Sequence, residues 1–168
     1  MITGRSGNPK GFTLLELIVV LGLIGLLLGL AAPSLRGFLG SRRTADAAAQ
    51  ILALTQWAGS RAAAQGQVYR LNIDPQMRMY WLTVQEGEGF VDLGSEFGRR
   101  FQLPEGTTVG VQSPLRGAAI TTLDFYPSGR TEEATIVLRD AGGEVFQIVC
   151  ESPTEAFHVV SSTEGRRP

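Results

Sequence analysis

The chain has 168 residues and a formal net charge of −1, enough length for one domain plus an N-terminal segment. This near-neutral charge argues against a general nucleic-acid binder, whose contact surface is strongly basic. The single cysteine, Cys150, cannot form an intramolecular disulfide, which excludes a disulfide-stapled secreted scaffold.

The first predicted element is an apolar run of 21 residues from Phe12 to Ala32, which follows a short polar segment carrying Arg5 and Lys10. As a helix this run spans about 31 Å, close to the thickness of a hydrocarbon core. Glu16 lies inside it, and a carboxylate at full depth would cost about 2.5–3.5 kcal/mol on insertion scales. The presence of Glu16 therefore calls for a function.

Several interpretations of the apolar run compete. A secretory signal peptide has a shorter apolar region and a small-residue cleavage site, whereas here Pro33 directly follows Ala31 and Ala32. A plain membrane anchor explains the length of the run but not Glu16. A helix buried inside a soluble protein is a third alternative, and a processed prepilin segment is the fourth.

The N-terminal residues resemble a type IV prepilin signal. The run Gly11-Phe12-Thr13-Leu14-Leu15-Glu16-Leu17 follows a short basic leader, places Glu fifth after the Gly-Phe junction, and leads to Pro33 at the far end. The resemblance implies that prepilin peptidase cleaves between Gly11 and Phe12 on the cytoplasmic face and that the new amine of Phe12 is N-methylated. Arginines on both sides of the run leave its orientation undecided by charge alone.

Glu16 then has a predicted role in assembly. In a filament, the amine of Phe12 on one subunit can neutralise Glu16 of its neighbour, because a buried charge persists when it is paired. Glu16 would set the register between adjacent subunits. The alternative is that Glu16, about one turn from the helix end, reaches water at the membrane interface.

Two further features bear on helix packing. Gly22, Gly25 and Gly29 would let helix backbones approach closely, although glycine is common in such segments and the signal is weak alone. Pro33 removes a backbone hydrogen bond and predicts a kink near the membrane boundary.

After Pro33 the apolar residues again recur at three- and four-residue spacing, and a second row widens the stripe. The pattern predicts one long helix from Leu14 to Gln65, ended by Gly66. Its second half should lie against a sheet.

Beyond Gly66 the period changes to two, which indicates strands. A hairpin is predicted around Asp74-Pro75, and the region between it and Pro104 is predicted to be a loop with little regular structure. Further strands are predicted at Thr107 to Gln112, Ile120 to Phe125, Ala134 to Arg139, Glu144 to Cys150 and Ala156 to Val160. A second hairpin turns at Asp140 to Gly143.

These elements predict an α+β fold, in which one long helix is laid across an antiparallel sheet of six or seven strands. The predicted segments are a leader at 1–11, a transmembrane and assembly helix at 12–32, an amphipathic stem helix at 33–66, a β head at 67–160 and a flexible tail at 161–168.

The head strengthens the resemblance. The run from Leu123 to Arg130, with its Phe-x-Pro-x-Gly turn, and the two apolar strands after it are similar to the globular domain of the minor pseudopilin GspH and the minor pilin FimT. This branch often ends its last strand with Thr-Gly-Arg, which Glu164 interrupts here.

No enzyme constellation is evident. The single histidine, His158, has no evident catalytic partner, and Cys150 is interpreted as a small buried hydrophobe. One Cys and one His cannot supply a typical zinc site. The carboxylate pairs, Glu86 with Glu88 and Glu132 with Glu133, are interpreted as solvated loop charges. We expect no catalytic residue, metal or cofactor.

The tail gives a weak signal for DNA. FimT-like minor pilins use C-terminal arginines to take up DNA, and Arg166 and Arg167 could contact phosphates in the same way. A solubilising terminus is the favoured interpretation, since the head offers no obvious basic patch.

The resemblance implies a minor pseudopilin of the bacterial type II secretion system, held in the inner membrane by a single span with its head in the periplasm before it joins the pseudopilus. The implied partners are prepilin peptidase, other pseudopilins or minor pilins, the inner-membrane assembly platform and secreted cargo. One alternative is a FimT-type minor pilin serving adhesion or DNA uptake. The other is a membrane-anchored periplasmic enzyme.

Overall fold

The computed structural model describes residues 12–114 and 121–162, with side chains over the same ranges except 30–39, 161 and 162. Features predicted at 1–11, including Gly11, and at 163–168, including Glu164, Arg166 and Arg167, lie outside the described residues. The described elements are α1 (Leu14–Gln65), β1 (Tyr69–Asp74), β2 (Met79–Glu86), β3 (Gly89–Asp92), a short 3-10 helix (Glu96–Gly98), β4 (Phe101–Gln102), β5 (Thr108–Gln112), β6 (Thr122–Phe125), β7 (Ala134–Arg139), β8 (Val145–Cys150) and β9 (His158–Ser162).

The chain divides into two compact units, Met1–Arg36 and Gly37–Pro168. Helix α1 has the bounds that the sequence predicts. It ends because Gly66 adopts a φ of 69° and its N–H donates to the carbonyl of Ala62 at 3.0 Å. In the second unit, one side of α1 is buried at the predicted three- and four-residue spacing, through Ala47, Ala48, Ile51, Leu54, Ala58 and Ala62.

The strands form two antiparallel sheets. The first has the order β3-β2-β1-β6, with β4 also paired to β2, and the second has the order β5-β7-β8-β9. The hairpin of β1 and β2 turns at Asp74, whose Oδ1 accepts hydrogen bonds from the N–H groups of Gln76 and Met77 at 2.9 Å each. Both predicted hairpins are confirmed.

The core of the second unit is one apolar cluster built from α1 and both sheets. Ile51 of α1, Leu71 and Leu82 of the first sheet, and Ile136 and Ile148 of the second are fully buried. Each such side chain contributes about 1.5–3 kcal/mol relative to an exposed position. Burial of α1 therefore fixes the stem helix to the head.

The α+β class is confirmed, but three details were wrong. The described residues form nine strands in two sheets, where one sheet of six or seven strands was expected. The region before Pro104, expected to be a loop, contains β3, the 3-10 helix and β4. The last strand is His158–Ser162, where Ala156 to Val160 was expected, because residues 152–155 form a turn in which the N–H of Glu155 donates to the Ser152 carbonyl at 3.0 Å.

Candidate assembly surface

Helix α1 begins immediately after a capping threonine. Thr13 Oγ1 accepts a hydrogen bond from the backbone N–H of Glu16 at 3.2 Å, and the Thr13 carbonyl accepts one from the N–H of Leu17 at 3.2 Å. A threonine followed three residues later by a glutamate is the capping-box pattern. Sequence reasoning missed this role of Thr13, although the spacing Thr13-x-x-Glu16 carried the signal.

The cap places the two predicted assembly residues at the same end of α1. Glu16 lies in the first helical turn, where a carboxylate is favoured by the helix dipole by about 0.3–1 kcal/mol. Phe12 lies two residues before the helix and is 80% exposed. The cleavage, N-methylation and register roles of Gly11, Phe12 and Glu16 stay predictions.

The first part of α1 is an apolar surface on all sides. Every large apolar side chain from Phe12 to Leu28 is between 42% and 80% exposed. A helix that is apolar all round is stable where lipid or other helices cover it. A surface of this kind is suited to contact with lipid or with other helices.

Among the described residues, no helix has the length and the hydropathy that a membrane crossing requires.

Three glycines interrupt this apolar surface. Apart from the nearby backbone of α1 itself, no atom lies within 4 Å of the position that a Cβ would take at Gly22, Gly25 or Gly29. Contacts within the chain therefore do not require glycine there. The open backbone is suited to close approach by another helix.

Pro33 lies within α1, and its side chain is outside the described residues. The kink predicted at Pro33 stays a prediction.

In the head, the Phe-x-Pro-x-Gly segment forms a closed turn. The N–H of Tyr126 donates to the carbonyl of Arg130 at 2.9 Å, and the N–H of Gly129 donates to the carbonyl of Tyr126 at 3.0 Å. Gly129 has a φ of 77°, a conformation that favours glycine. The turn holds Phe125 against Gly59 of α1, where the ring lies 3.9 Å from the position of an added Cβ.

A groove of about 380 Å³ opens between this turn and α1. Phe125 and Phe157 line it and are both 3% exposed, while Arg130 and Glu155 lie on its walls. The lining of the groove thus combines two buried aromatic side chains with two exposed side chains of opposite charge.

The outer face of the first sheet holds an ion pair that sequence reasoning missed. Arg70 donates from Nε and Nη2 to the two carboxylate oxygens of Asp124, at 2.6 and 2.8 Å. The two residues lie directly opposite each other on β1 and β6, and the Arg70 guanidinium lies 3.7 Å from the centre of the Phe90 ring. The hydrogen bond to Asp124 raises the pKa of the Arg70 guanidinium. This ion pair stabilises the pairing of the edge strand β6 with β1.

The two residues considered for catalysis lie on adjacent strands but on opposite faces of the second sheet, since His158 pairs with Val149, the residue before Cys150. His158 is exposed on β9, and Cys150 is buried at the end of β8. The Cys150 thiol donates to the carbonyl of Ser152 at 3.1 Å, and burial raises the pKa of this thiol. A raised pKa lowers the thiolate fraction, so Cys150 is suited to packing rather than to nucleophilic chemistry.

The carboxylate pairs differ in exposure, with Glu86 and Glu88 exposed and Glu132 and Glu133 half-buried. Over residues 12–114 and 121–162, no group of three His, Cys, Asp or Glu side chains is arranged to hold a metal ion.

Two family models match the chain. Residues 7–32 match the prokaryotic N-terminal methylation motif, and residues 47–155 match the type II transport protein GspH. No curated protein matches the chain significantly in sequence.

Solved structures share the fold. The minor pseudopilin EpsH from the type II secretion system of Vibrio cholerae is similar in two structures, with TM-scores of 0.63 and 0.62 and identities of 14% and 15%. These cover 74% and 73% of this chain and 98% and 99% of EpsH. The type IV minor pilin FimU of Pseudomonas aeruginosa is similar with a TM-score of 0.53 and 16% identity, covering 78% of this chain and 96% of FimU.

The predicted resemblance to the pilin-like superfamily is thus confirmed, and, since the GspH model spans well over half of its residues, the chain belongs to the GspH family of type II transport proteins.

Proposed function

We propose that the chain is a minor pseudopilin of a type II secretion system, a structural subunit of the periplasmic pseudopilus. The observation that carries this proposal is that one chain contains both an apolar N-terminal helix and a globular head. The start of α1, which is capped by Thr13 and is apolar and exposed from Leu14 to Leu28, is joined to a head of the GspH family. The first part suits helix packing, and the second suits contact with neighbouring heads.

The proposed location is the inner membrane, with a single span and the head in the periplasm, followed by transfer into the pseudopilus. The N-terminal methylation motif at 7–32 supports processing by a prepilin peptidase between Gly11 and Phe12. The remaining proposed partners are other pseudopilins, the inner-membrane assembly platform and secreted cargo.

The proposed mechanism is assembly without catalysis. Cleavage leaves an amine on Phe12, and this amine pairs with Glu16 of the adjacent subunit as both enter an apolar helix bundle. An unpaired carboxylate in such a bundle is strongly disfavoured, so only one register between neighbours is stable. The Thr13 cap keeps the first turn helical and so fixes the position from which Glu16 extends.

The test is complementation of a type II secretion strain that lacks its own GspH-family subunit. We expect the wild-type chain to restore release of the secreted enzyme into the medium. Glu16→Gln keeps the size of the side chain and removes its charge, and it should insert in the membrane but fail to enter sheared pseudopili. Glu88→Gln, at an exposed loop carboxylate of the head, is the matched control and should behave as wild type.

Equal incorporation of Glu16→Gln and Glu88→Gln would refute the register mechanism. If the wild-type chain fails to restore secretion but rescues a strain that lacks a minor pilin, the FimT-type minor pilin becomes the supported function. The structural similarity to FimU is the observation that favours this second candidate function. The arginines proposed for DNA contact, Arg166 and Arg167, lie outside the described residues. If the head, released as a fragment, shows enzyme activity, the alternative of a membrane-anchored periplasmic enzyme is favoured instead.

A further inference from the structure

The connection between β3 and β4 leaves the first sheet and returns to the same edge of β2. Asp92, the last residue of β3, lies opposite Thr83, and Phe101, the first residue of β4, lies opposite Tyr80. Between these strands, residues 93–98 form a segment that we name the strap, and it contains the short 3-10 helix. Both ends of the strap are therefore close to paired strands.

One aromatic stack holds the strap against α1. The Phe97 ring lies within 15° of parallel to the Trp57 ring of α1, with 4.6 Å between the ring centres. Tyr69 meets the same Trp57 side chain edge-on, with 5.6 Å between ring centres. Phe97 remains 42% exposed, so the stack covers only part of its surface. The contact between the strap and α1 thus depends on one half-covered side chain.

Polar contacts do not fasten the strap to α1 or to the sheet within the part of the chain that the structure describes. The N–H of Gly98 donates to the Ser95 carbonyl at 3.0 Å, and the N–H of Arg99 donates to the Glu96 carbonyl at 3.4 Å. Both hydrogen bonds are local to the turn. The two hairpin turns differ, because in each an aspartate carboxylate accepts backbone hydrogen bonds.

The two ends of the strap touch each other. A Cβ at Gly98 would overlap the carbonyl oxygen and the Cβ of Leu93. Gly98 is buried, and Leu93 packs against the core at the base of the strap. A short surface loop whose ends are this close can move as one unit while the strands on either side stay paired.

We propose that the strap opens and closes as a unit over the hollow that it shares with α1, with Phe97 as its anchor. The hollow has a volume of about 440 Å³ and lies between Trp57 and Tyr69 on one side and Phe97 on the other. Opening separates Phe97 from Trp57 while β3 and β4 remain paired with β2. A segment held by few buried contacts opens far more often than the whole domain unfolds.

The equilibrium between the two forms sets how much aromatic surface the head exposes. In the closed form Phe97 and Trp57 cover each other, and in the open form both rings face solvent. The inference goes beyond the proposed role in secretion, since it concerns a local equilibrium within the head and holds whichever machine the chain serves.

The first test is hydrogen exchange of the full chain in detergent, at urea concentrations below the unfolding transition. The amides of Gly98 and Arg99 should exchange faster than that of Thr83 in the β1–β2 hairpin, and at rates that urea does not change. Phe97→Ala should raise the exchange rates of these two amides roughly tenfold. Val91→Ala, at a valine of β3 that is 38% exposed, is the matched control and should leave both rates unchanged.

Two results of this experiment would overturn the proposal. If urea accelerates the exchange of Gly98 and Arg99 as strongly as that of Thr83, the strap opens only when the whole head unfolds. If Phe97→Ala and Val91→Ala change the two rates equally, Phe97 is not the anchor.

The second test separates movement of the strap from simple loss of the Phe97 ring. In a Trp81→Phe background, Trp57 is the only tryptophan, and acrylamide quenching of its fluorescence measures its exposure. Gly98→Ala keeps Phe97, but its methyl group overlaps Leu93 and should displace the strap. We therefore expect Gly98→Ala to increase the quenching of Trp57 as much as Phe97→Ala does, with an unchanged circular dichroism spectrum.

The other outcomes of the second test contradict the proposal. Quenching in Gly98→Ala that equals that of the Trp81→Phe background would show that the strap does not move from Trp57. Loss of the sheets in Gly98→Ala, seen by circular dichroism, would show that the strap cannot open separately from the head.

Discussion

Replacing Asp124 with Asn tests the ion pair that fastens β6 to the first sheet. Asp124 is 9% exposed and accepts two hydrogen bonds from Arg70, at 2.6 and 2.8 Å. Breaking a fully buried pair costs about 3–5 kcal/mol. The Arg70 side chain is 30% exposed and keeps its contact with Phe90, so we expect a smaller loss of unfolding free energy, about 2 kcal/mol. That loss corresponds to a fall in Tm of roughly 4–8 °C.

The assay is thermal and urea unfolding of the full chain in detergent. Tryptophan fluorescence reports on the second unit, which holds both Trp57 and Trp81. Asp92→Asn is the matched control. It breaks the pair with Arg100, whose partners are 61% and 55% exposed, and should cost less than about 0.5 kcal/mol. If Asp124→Asn and Asp92→Asn destabilise the chain equally, the Arg70 pair has no special role in the fold.

Four further predictions concern buried side chains and two glycines of the second unit. Burial raises the pKa of Tyr80 to about 12, above its unfolded value of about 10. The contribution of Tyr80 to the free energy of unfolding is therefore complete below a pH of about 10 and is lost as the pH rises toward 12. Tyr80→Phe should reduce the loss of unfolding free energy at alkaline pH, as measured by denaturant titrations. An unchanged loss would show that Tyr80 is not its cause. Gly59→Ala should raise the unfolding free energy by about 0.5–1 kcal/mol, because the new methyl group lies in a helix at ordinary contact distance. Gly98→Ala should lower the unfolding free energy by about 1–3 kcal/mol, because its Cβ would overlap Leu93, and the opposite order of the two glycine variants would refute the packing described here. Cys150 should react with a thiol reagent only after unfolding, and rapid labelling of the folded chain would show that the thiol is not buried.

Local pattern was sufficient to predict α1 and both hairpins. The three- and four-residue spacing of apolar residues and the stop at Gly66 define the helix from Leu14 to Gln65. Turn residues at Asp74 and Asp140 mark the hairpins, and in the structure their carboxylates accept backbone hydrogen bonds within the turns. In each case the information lies within a few residues of the element.

What the sequence did not reveal depends on contacts between distant residues. Strand β4 has only two residues, and it exists because Phe101 and Gln102 pair with Tyr80 and Met79. The division into two sheets likewise depends on which strands pair, and no local pattern specifies that.

The residues of the candidate site differ in how far the sequence signals them, and the roles of Phe12 and Glu16 stay predictions. Phe12 and Glu16 could be named because their spacing is a motif, whereas the Arg70–Asp124 pair joins residues 54 positions apart and has no sequence signal. The Thr13 cap does have a local signal, the Thr13-x-x-Glu16 spacing of a capping box, although it was not among the predicted features.

The central claim is that this chain is processed and assembled as a pilin-like subunit through its N-terminus. The most direct measurement is the intact mass of the chain purified from cells that contain an active prepilin peptidase. We expect a chain that starts at Phe12 and carries a methyl group on the new amine. A chain that keeps residues 1–11 in the presence of active peptidase would contradict it.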